Sequence, residues 1–148
     1  MDIYPRQKLQ SLWLLRLGVL LFLLGLFTGF AVPAMTNPRM ALSSHMEGIL
    51  NGIFLLAIGL LWQRLHLSDR LLKLTFWLLL YGTFAIWQAT LLAAVWGAGI
   101  QMPIAAGGQH GASWQENTVN FLLYSLSLAM VATCILVIAG LKKHDIPE

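Results

Sequence analysis

The stretch Leu42-Ser43-Ser44-His45-Met46-Glu47-Gly48-Ile49-Leu50-Asn51-Gly52-Ile53-Phe54-Leu55-Leu56-Ala57-Ile58-Gly59-Leu60-Leu61-Trp62 decides how this chain folds. A hydrocarbon core about 30 Å thick takes about 20 helical residues to cross, and this run is long enough. Three more runs qualify, at residues 11–32, 72–96 and 118–141. Basic residues before the first give it the flanks of a signal peptide, but its apolar core exceeds the roughly 7 to 15 residues of one. Of the 148 residues, 58% are hydrophobic and 10% charged, whereas a soluble domain carries about a quarter charged. The 13 glycines and 6 tryptophans suit a bilayer, where small residues let helices approach and Trp anchors the interfaces. No fixed-period repeat or low-complexity linker divides the chain. The expected architecture is an all-α integral membrane protein, a bundle of four transmembrane helices in one domain spanning residues 1–148.

Cytoplasmic loops are enriched in Lys and Arg. Arg6, Lys8 and Arg16 accompany the first run, Arg64, Arg70 and Lys73 separate the second and third, and Lys142 and Lys143 follow the fourth. Only Arg39 falls on the other side. Both termini are therefore expected in the cytoplasm, with residues 33–41 and 97–117 outside. The net charge of +3 comes from short clusters beside apolar runs, without the basic face that nucleic acid requires. The single cysteine, Cys134, excludes an intramolecular disulfide and Cys-x-x-Cys redox chemistry. Residues 97–111 are uncharged apart from His110 and rich in Gly, and loops of that length are usually functional or disordered. Their apolar centre favours a lid folded back over the bundle mouth.

An ionisable group at bilayer depth is costly and belongs on the bundle interior. Here the candidates are His45 and Glu47, with Asn51 as their polar neighbour. At about 100° per residue, Gly48, Gly52 and Gly59 fall within roughly 60° of His45. This stripe has two readings: a small-residue packing seam, or a bare surface on which a flat macrocycle lies while His45 ligates its iron. Glu47 and Asn51, four apart, share a neighbouring face and can be bridged by one ligand. Trp77, Tyr81, Phe84 and Gln88 form a stripe on the third run, with Thr83, Trp87 and Thr90 on another face. Asn117, Asn120, Tyr124 and Ser127 form one on the fourth. Such stripes make interhelical hydrogen bonds or, turned inward together, a pocket for a small aromatic molecule, with Tyr81, Trp87 and Thr90 as its lining.

Asn37-Pro38-Arg39-Met40-Ala41 leading into Leu42 to Gly52 resembles the signature of the hydroxylaminobenzene mutases. So do Trp96-Gly97-Ala98-Gly99, Met102-Pro103-Ile104-Ala105-Ala106-Gly107 and Gln115-Glu116. A more distant similarity, in the His-x5-Asn-Gly element from His45 to Asn51-Gly52, is to the styrene oxide isomerases. That second resemblance implies haem b ligated by His45, a substrate-facing Asn51, and a trimer with haem at the subunit contacts. An ungapped alignment puts Thr90 where those enzymes have Tyr and Ile86 where they have Asn; Glu47, where they have Gly, is mutase-like.

What the resemblance implies is a haem-dependent isomerase in a bacterial-type inner membrane, rearranging an aryl hydroxylamine to an aminophenol with ferric haem as Lewis acid. The expected residues are His45 as iron ligand, Gly48 and Gly52 beneath the cofactor, and Asn51 and Glu47 as catalytic groups. Neither the mutase nor an aryl epoxide isomerase consumes electrons or water. His45 and Asn51 stand about 9 Å apart along the axis and roughly 240° apart around it, so Asn51 is expected to serve the haem of a neighbouring subunit. Rival readings are the epoxide isomerase itself, a small multidrug-type transporter using Glu47, and a haem electron carrier needing a second axial ligand such as His110.

Overall fold

A computed structural model describes residues 5–141; Lys142, Lys143 and His144 lie outside the described residues. Four long helices, α1 (Pro5–Ala31), α2 (Pro38–Leu61), α3 (Asp69–Trp96) and α5 (Ser113–Gly140), are each long and apolar enough to cross a membrane. A single-turn helix, α4 (Pro103–Ala106), interrupts the connection between α3 and α5. Each long helix begins three to six residues before the apolar run that announced it. The reason is polar capping, which an apolar count passes over. Asn37 accepts the Met40 N–H at 3.1 Å with Pro38 as the first helical residue, and Gln115 accepts the Ala112 N–H at 2.7 Å.

Helix α2 packs on α1 and on α3, and α5 packs on α3. The α1–α2 contact is backbone on backbone. A Cβ on Gly48 would stand 2.5 Å from Gly25 Cα, and one on Gly52 would stand 2.7 Å from the Phe22 nitrogen. Two glycine pairs therefore let these axes come closer than any side chain permits. At one end of the bundle Gln7 donates to the carbonyls of Trp62 and Leu65 at 2.7 and 3.1 Å, and the His66 N–H reaches Gly140 O at 2.8 Å. That end gathers Arg6, Lys8, Arg64, Arg70 and Lys73. Beneath it lies a core of Leu14, Leu21, Leu55, Ile58, Trp62, Phe76 and Leu79.

The opposite end is built from small residues. Ala41, Ala93, Ala94, Ala98 and Ala106 pack with Met40 and Val119. Residues 97–112 are folded back onto this cluster, as expected of a lid. Asn37 holds them with its side-chain amide on Ala106 O at 2.9 Å. Gly97, with φ +70°, ends α3 in the left-handed conformation that glycine adopts without steric cost.

Of the polar stripes, Thr83, Trp87 and Thr90 of α3 turn inward, and Tyr81 and Trp87 make interhelical hydrogen bonds to Ser125 and Thr28, whereas the other two stripes face outward. Trp77, Tyr81 and Gln88 of α3, and Asn117, Tyr124 and Ser127 of α5, are exposed; Phe84 and Asn120 are half-buried. The buried side of α5 is instead Glu116, Val119, Leu126, Ala129, Thr133 and Val137. Lipid and protein interior are equally apolar, so apolar residues do not mark the packed face of a membrane helix as they do in water.

Candidate functional site

His45 sits in the second turn of α2, where Gly25 and Gly29 of α1 pass. Its Nδ1 lies 2.8 Å from the Gly25 carbonyl oxygen. A carbonyl only accepts, so Nδ1 donates in this bond and Nε2 is the ring nitrogen it leaves unengaged. Gly29 makes room for the ring, since a Cβ there would stand 2.7 Å from Nδ1. The half-buried imidazole borders an apolar cavity of about 410 Å³ lined by Leu26, Gly29, Phe30, Val32, Pro33 and Leu42.

This donor set fits a haem. Imidazoles that bind metal almost always donate their second N–H to a carbonyl or carboxylate, which fixes tautomer and orientation. Among the described residues no three His, Cys, Asp or Glu side chains gather to hold a bare metal ion. A metal at His45 would thus bring its own equatorial ligands. His110 is exposed on the 97–112 loop and His66 is exposed at the far end.

The surface for such a group is not the one read from the glycine stripe. Gly48 and Gly52 are buried against α1, so neither offers a face to a macrocycle; the stripe is the packing seam. Sequence spacing placed these glycines near His45 correctly. What it did not show is that Gly18 and Gly25 on α1 form the complementary half.

Glu47 and Asn51 are brought together. The Asn51 amide donates to Glu47 Oε2 at 3.0 Å and to the Glu47 carbonyl at 3.0 Å. Asn51 Oδ1 and Glu47 Oε1 remain as acceptors on a half-buried surface. His45, held against α1, does not share that face.

Tyr81, Trp87 and Thr90 do not converge on one cavity. Tyr81 is bound to Ser125 of α5 at 2.6 Å and is 40% exposed. Trp87 donates its indole N–H to Thr28 Oγ1 at 3.1 Å, bracing the turn of α1 that carries Gly25 and Gly29. The Thr90 hydroxyl is buried and spent on its own helix, at Ile86 O and Trp87 O. Three such adjacent polar groups on one helix looked like a pocket wall; a hydroxyl one turn from a carbonyl bonds there first.

One further carboxylate, in the Gln115-Glu116 word, is buried and holds the loop. Glu116 is 4% exposed, and its Oε1 accepts the N–H groups of Gly99 and Gly111 at 3.0 and 2.8 Å while Oε2 accepts that of Ile100 at 3.1 Å. It closes both ends of the lid loop on one side chain. The sequence signal was present: a lone acid in the first turn of a helix, after a Gly-rich segment whose N–H groups have no other place to go. One turn along α5, Asn120 Oδ1 is buried with no hydrogen-bond partner among the described residues.

The chain matches the family model described as styrene oxide isomerase over residues 10–142. It is 56% identical over 130 residues to hydroxylaminobenzene mutase HabB of Ectopseudomonas oleovorans, covering 87% of this chain and 79% of that one. It is 48% identical over 127 residues to hydroxylaminobenzene mutase HabA of the same organism, covering 85% of this chain and 94% of that one. No solved structure matches.

Proposed function

Because this chain belongs to the styrene oxide isomerase family, and is with its mutase relatives an isomerase, we propose that it moves the hydroxyl of an aryl hydroxylamine from nitrogen to the ring. The N–O bond breaks and a ring C–O bond forms. One proton leaves the ring carbon and one is gained at nitrogen, so neither electrons nor water are consumed. The aminophenol is an isomer of the substrate.

The observation that carries this reading is the His45 tautomer. With Nδ1 bound to the Gly25 carbonyl at 2.8 Å, Nε2 would be the atom that holds the iron of haem b. When bound, haem supplies an open Lewis-acid face that weakens the N–O bond. Asn51 holds the Glu47 carboxylate and presents Oδ1 to the substrate N–H or O–H. The Glu47 carboxylate takes the ring proton and returns it to nitrogen. Thr90, whose hydroxyl is bonded within its own helix, stands where the resemblance puts the Tyr of the epoxide isomerases, which supports the hydroxylamine over the epoxide.

The working unit is a homo-oligomer, a trimer by the family resemblance, in which Asn51 and Glu47 of one copy face the haem held by His45 of the next. The outward direction of Gln88 and Tyr124 supports it, since polar groups at membrane depth need partners that lipid does not offer. The setting is an inner membrane of bacterial type, with the Arg6, Lys8, Arg64, Arg70 and Lys73 end in the cytoplasm; a reporter near Gly108 reads external.

Purified protein assayed anaerobically with phenylhydroxylamine, with products identified by chromatography, tests the reaction. Aminophenol formation together with a Soret band that His45→Ala abolishes is the expected result. Turnover of styrene oxide alone transfers the chain to epoxide chemistry, and full haem retention by His45→Ala overturns the ligand.

A further inference from the structure

Arg39 is a cation in an unfavourable place. It is the second residue of α2, in the first turn, where the helix macrodipole is positive and a basic side chain is repelled. At this end of the bundle it is the one Lys or Arg among the described residues. Nor does a described carboxylate neutralise it. Asp69 is at the far end, Glu47 is bound to Asn51, and Glu116 is bound to three loop N–H groups. Helix stability does not account for the position.

Arg39 lines a second cavity, of about 520 Å³, whose walls are Leu42 and Ser43 of α2 and residues 101–105 of the lid loop. Leu42 also lines the His45 cavity, so the two hollows meet across one side chain. Arg39 and His45 are six residues apart, a rise of about 9 Å and about 120° around the helix with Leu42 midway. The long arginine side chain spans that offset; the short Asn51 side chain, equally far beyond His45, does not. One hollow thus offers a single imidazole nitrogen among apolar walls, and its neighbour offers a guanidinium with Ser43 and Gln101. A ligand filling both is apolar at one end, with a group that meets an imidazole, and anionic at the other.

We infer that Arg39 binds the carboxylate arms of the haem held at His45. The inference rests on the haem reading above and adds the group that orients the macrocycle. The hydroxylamine and aminophenol carry no carboxylate and give Arg39 no charge to meet. Guanidinium and carboxylate pair through two parallel hydrogen bonds, which fixes direction as well as affinity.

The test compares haemin with haemin dimethyl ester, which keeps the iron and ring but has no carboxylate charge. Full-length protein produced under haem limitation and purified in detergent is titrated with each by Soret absorbance. Wild type is expected to bind haemin at least tenfold more tightly than the ester. Arg39→Gln loses that preference by weakening haemin tenfold or more while its affinity for the ester stays within twofold, which also shows that the variant is folded. Arg39→Lys, lacking the two-pronged geometry, falls between. Equal affinity of wild type for both ligands overturns the inference while leaving His45 as ligand, and so does an Arg39→Gln protein that still prefers haemin. Binding of neither ligand by wild type overturns the haem reading itself, and this inference with it.

Discussion

Glu116→Gln leaves the shape of the loop latch and removes its charge. The carboxylate accepts three backbone N–H groups, two at Oε1 from Gly99 and Gly111 and one at Oε2 from Ile100. A glutamine keeps one oxygen. Placed at the Oε1 position, it retains Gly99 and Gly111 as neutral bonds, each weaker than a charge-assisted one by about 0.5–1 kcal/mol. Its amide nitrogen then faces the Ile100 N–H, donor against donor, and leaving a buried donor unpaired costs about 1–3 kcal/mol. The loop is therefore destabilised by about 2–5 kcal/mol relative to the helices, which corresponds to roughly 30- to 5,000-fold faster local opening. Amide hydrogen exchange followed by mass spectrometry reads this directly. Peptides covering residues 97–112 speed up by that factor, and those from the middle of α1 and α3 do not. Unchanged exchange in the loop refutes the latch. Equal acceleration in every helix refutes it too, because the carboxylate would then support the whole bundle.

Gly48→Ala destabilises the protein by about 1–3 kcal/mol in thermal or denaturant unfolding, because its Cβ meets Gly25 backbone at 2.5 Å; Gly59→Ala costs less, since it meets the Leu14 and Leu15 side chains at 3.1–3.2 Å. Equal loss for the two disproves the close seam. Thr90→Val keeps turnover within about twofold and stability within about 1 kcal/mol, its hydroxyl being bonded only within its own helix; a tenfold loss in kcat would return Thr90 to the site. Coexpression of His45→Ala with Asn51→Ala regains part of the activity that each lacks alone, as a shared site requires. Mixed oligomers that stay inactive place both residues' work within one chain.

Much of this protein is legible in its sequence. The four spans, the grouping of the basic residues and the His45, Glu47 and Asn51 word on α2 all follow from length, charge and spacing. Membrane thickness and the cost of burying a charge are constraints that act on each segment separately. Asn51 meets Glu47 as the four-residue spacing requires, because both ends of that contact are on one helix. Direction around the axis was another matter. The Gly48 and Gly52 stripe left a packing seam and a cofactor face both open, Thr83 and Thr90 turn inward as a polar face was expected to, and the Tyr81 and Asn117 to Ser127 stripes turn outward. In water a helix declares its buried face by being apolar there; in a bilayer both faces are apolar, and only contact with another helix breaks the tie. So α1 had to arrive before Gly48 became a seam and Gly25 supplied the carbonyl that sets the His45 tautomer. Likewise the loop had to fold back before Glu116 found its three N–H donors. The chain alone determines which segments are long and apolar enough to cross and where its few ionisable residues lie along them. Tertiary packing decides which way those residues point, because that depends on backbone groups far along the chain that no local pattern encodes.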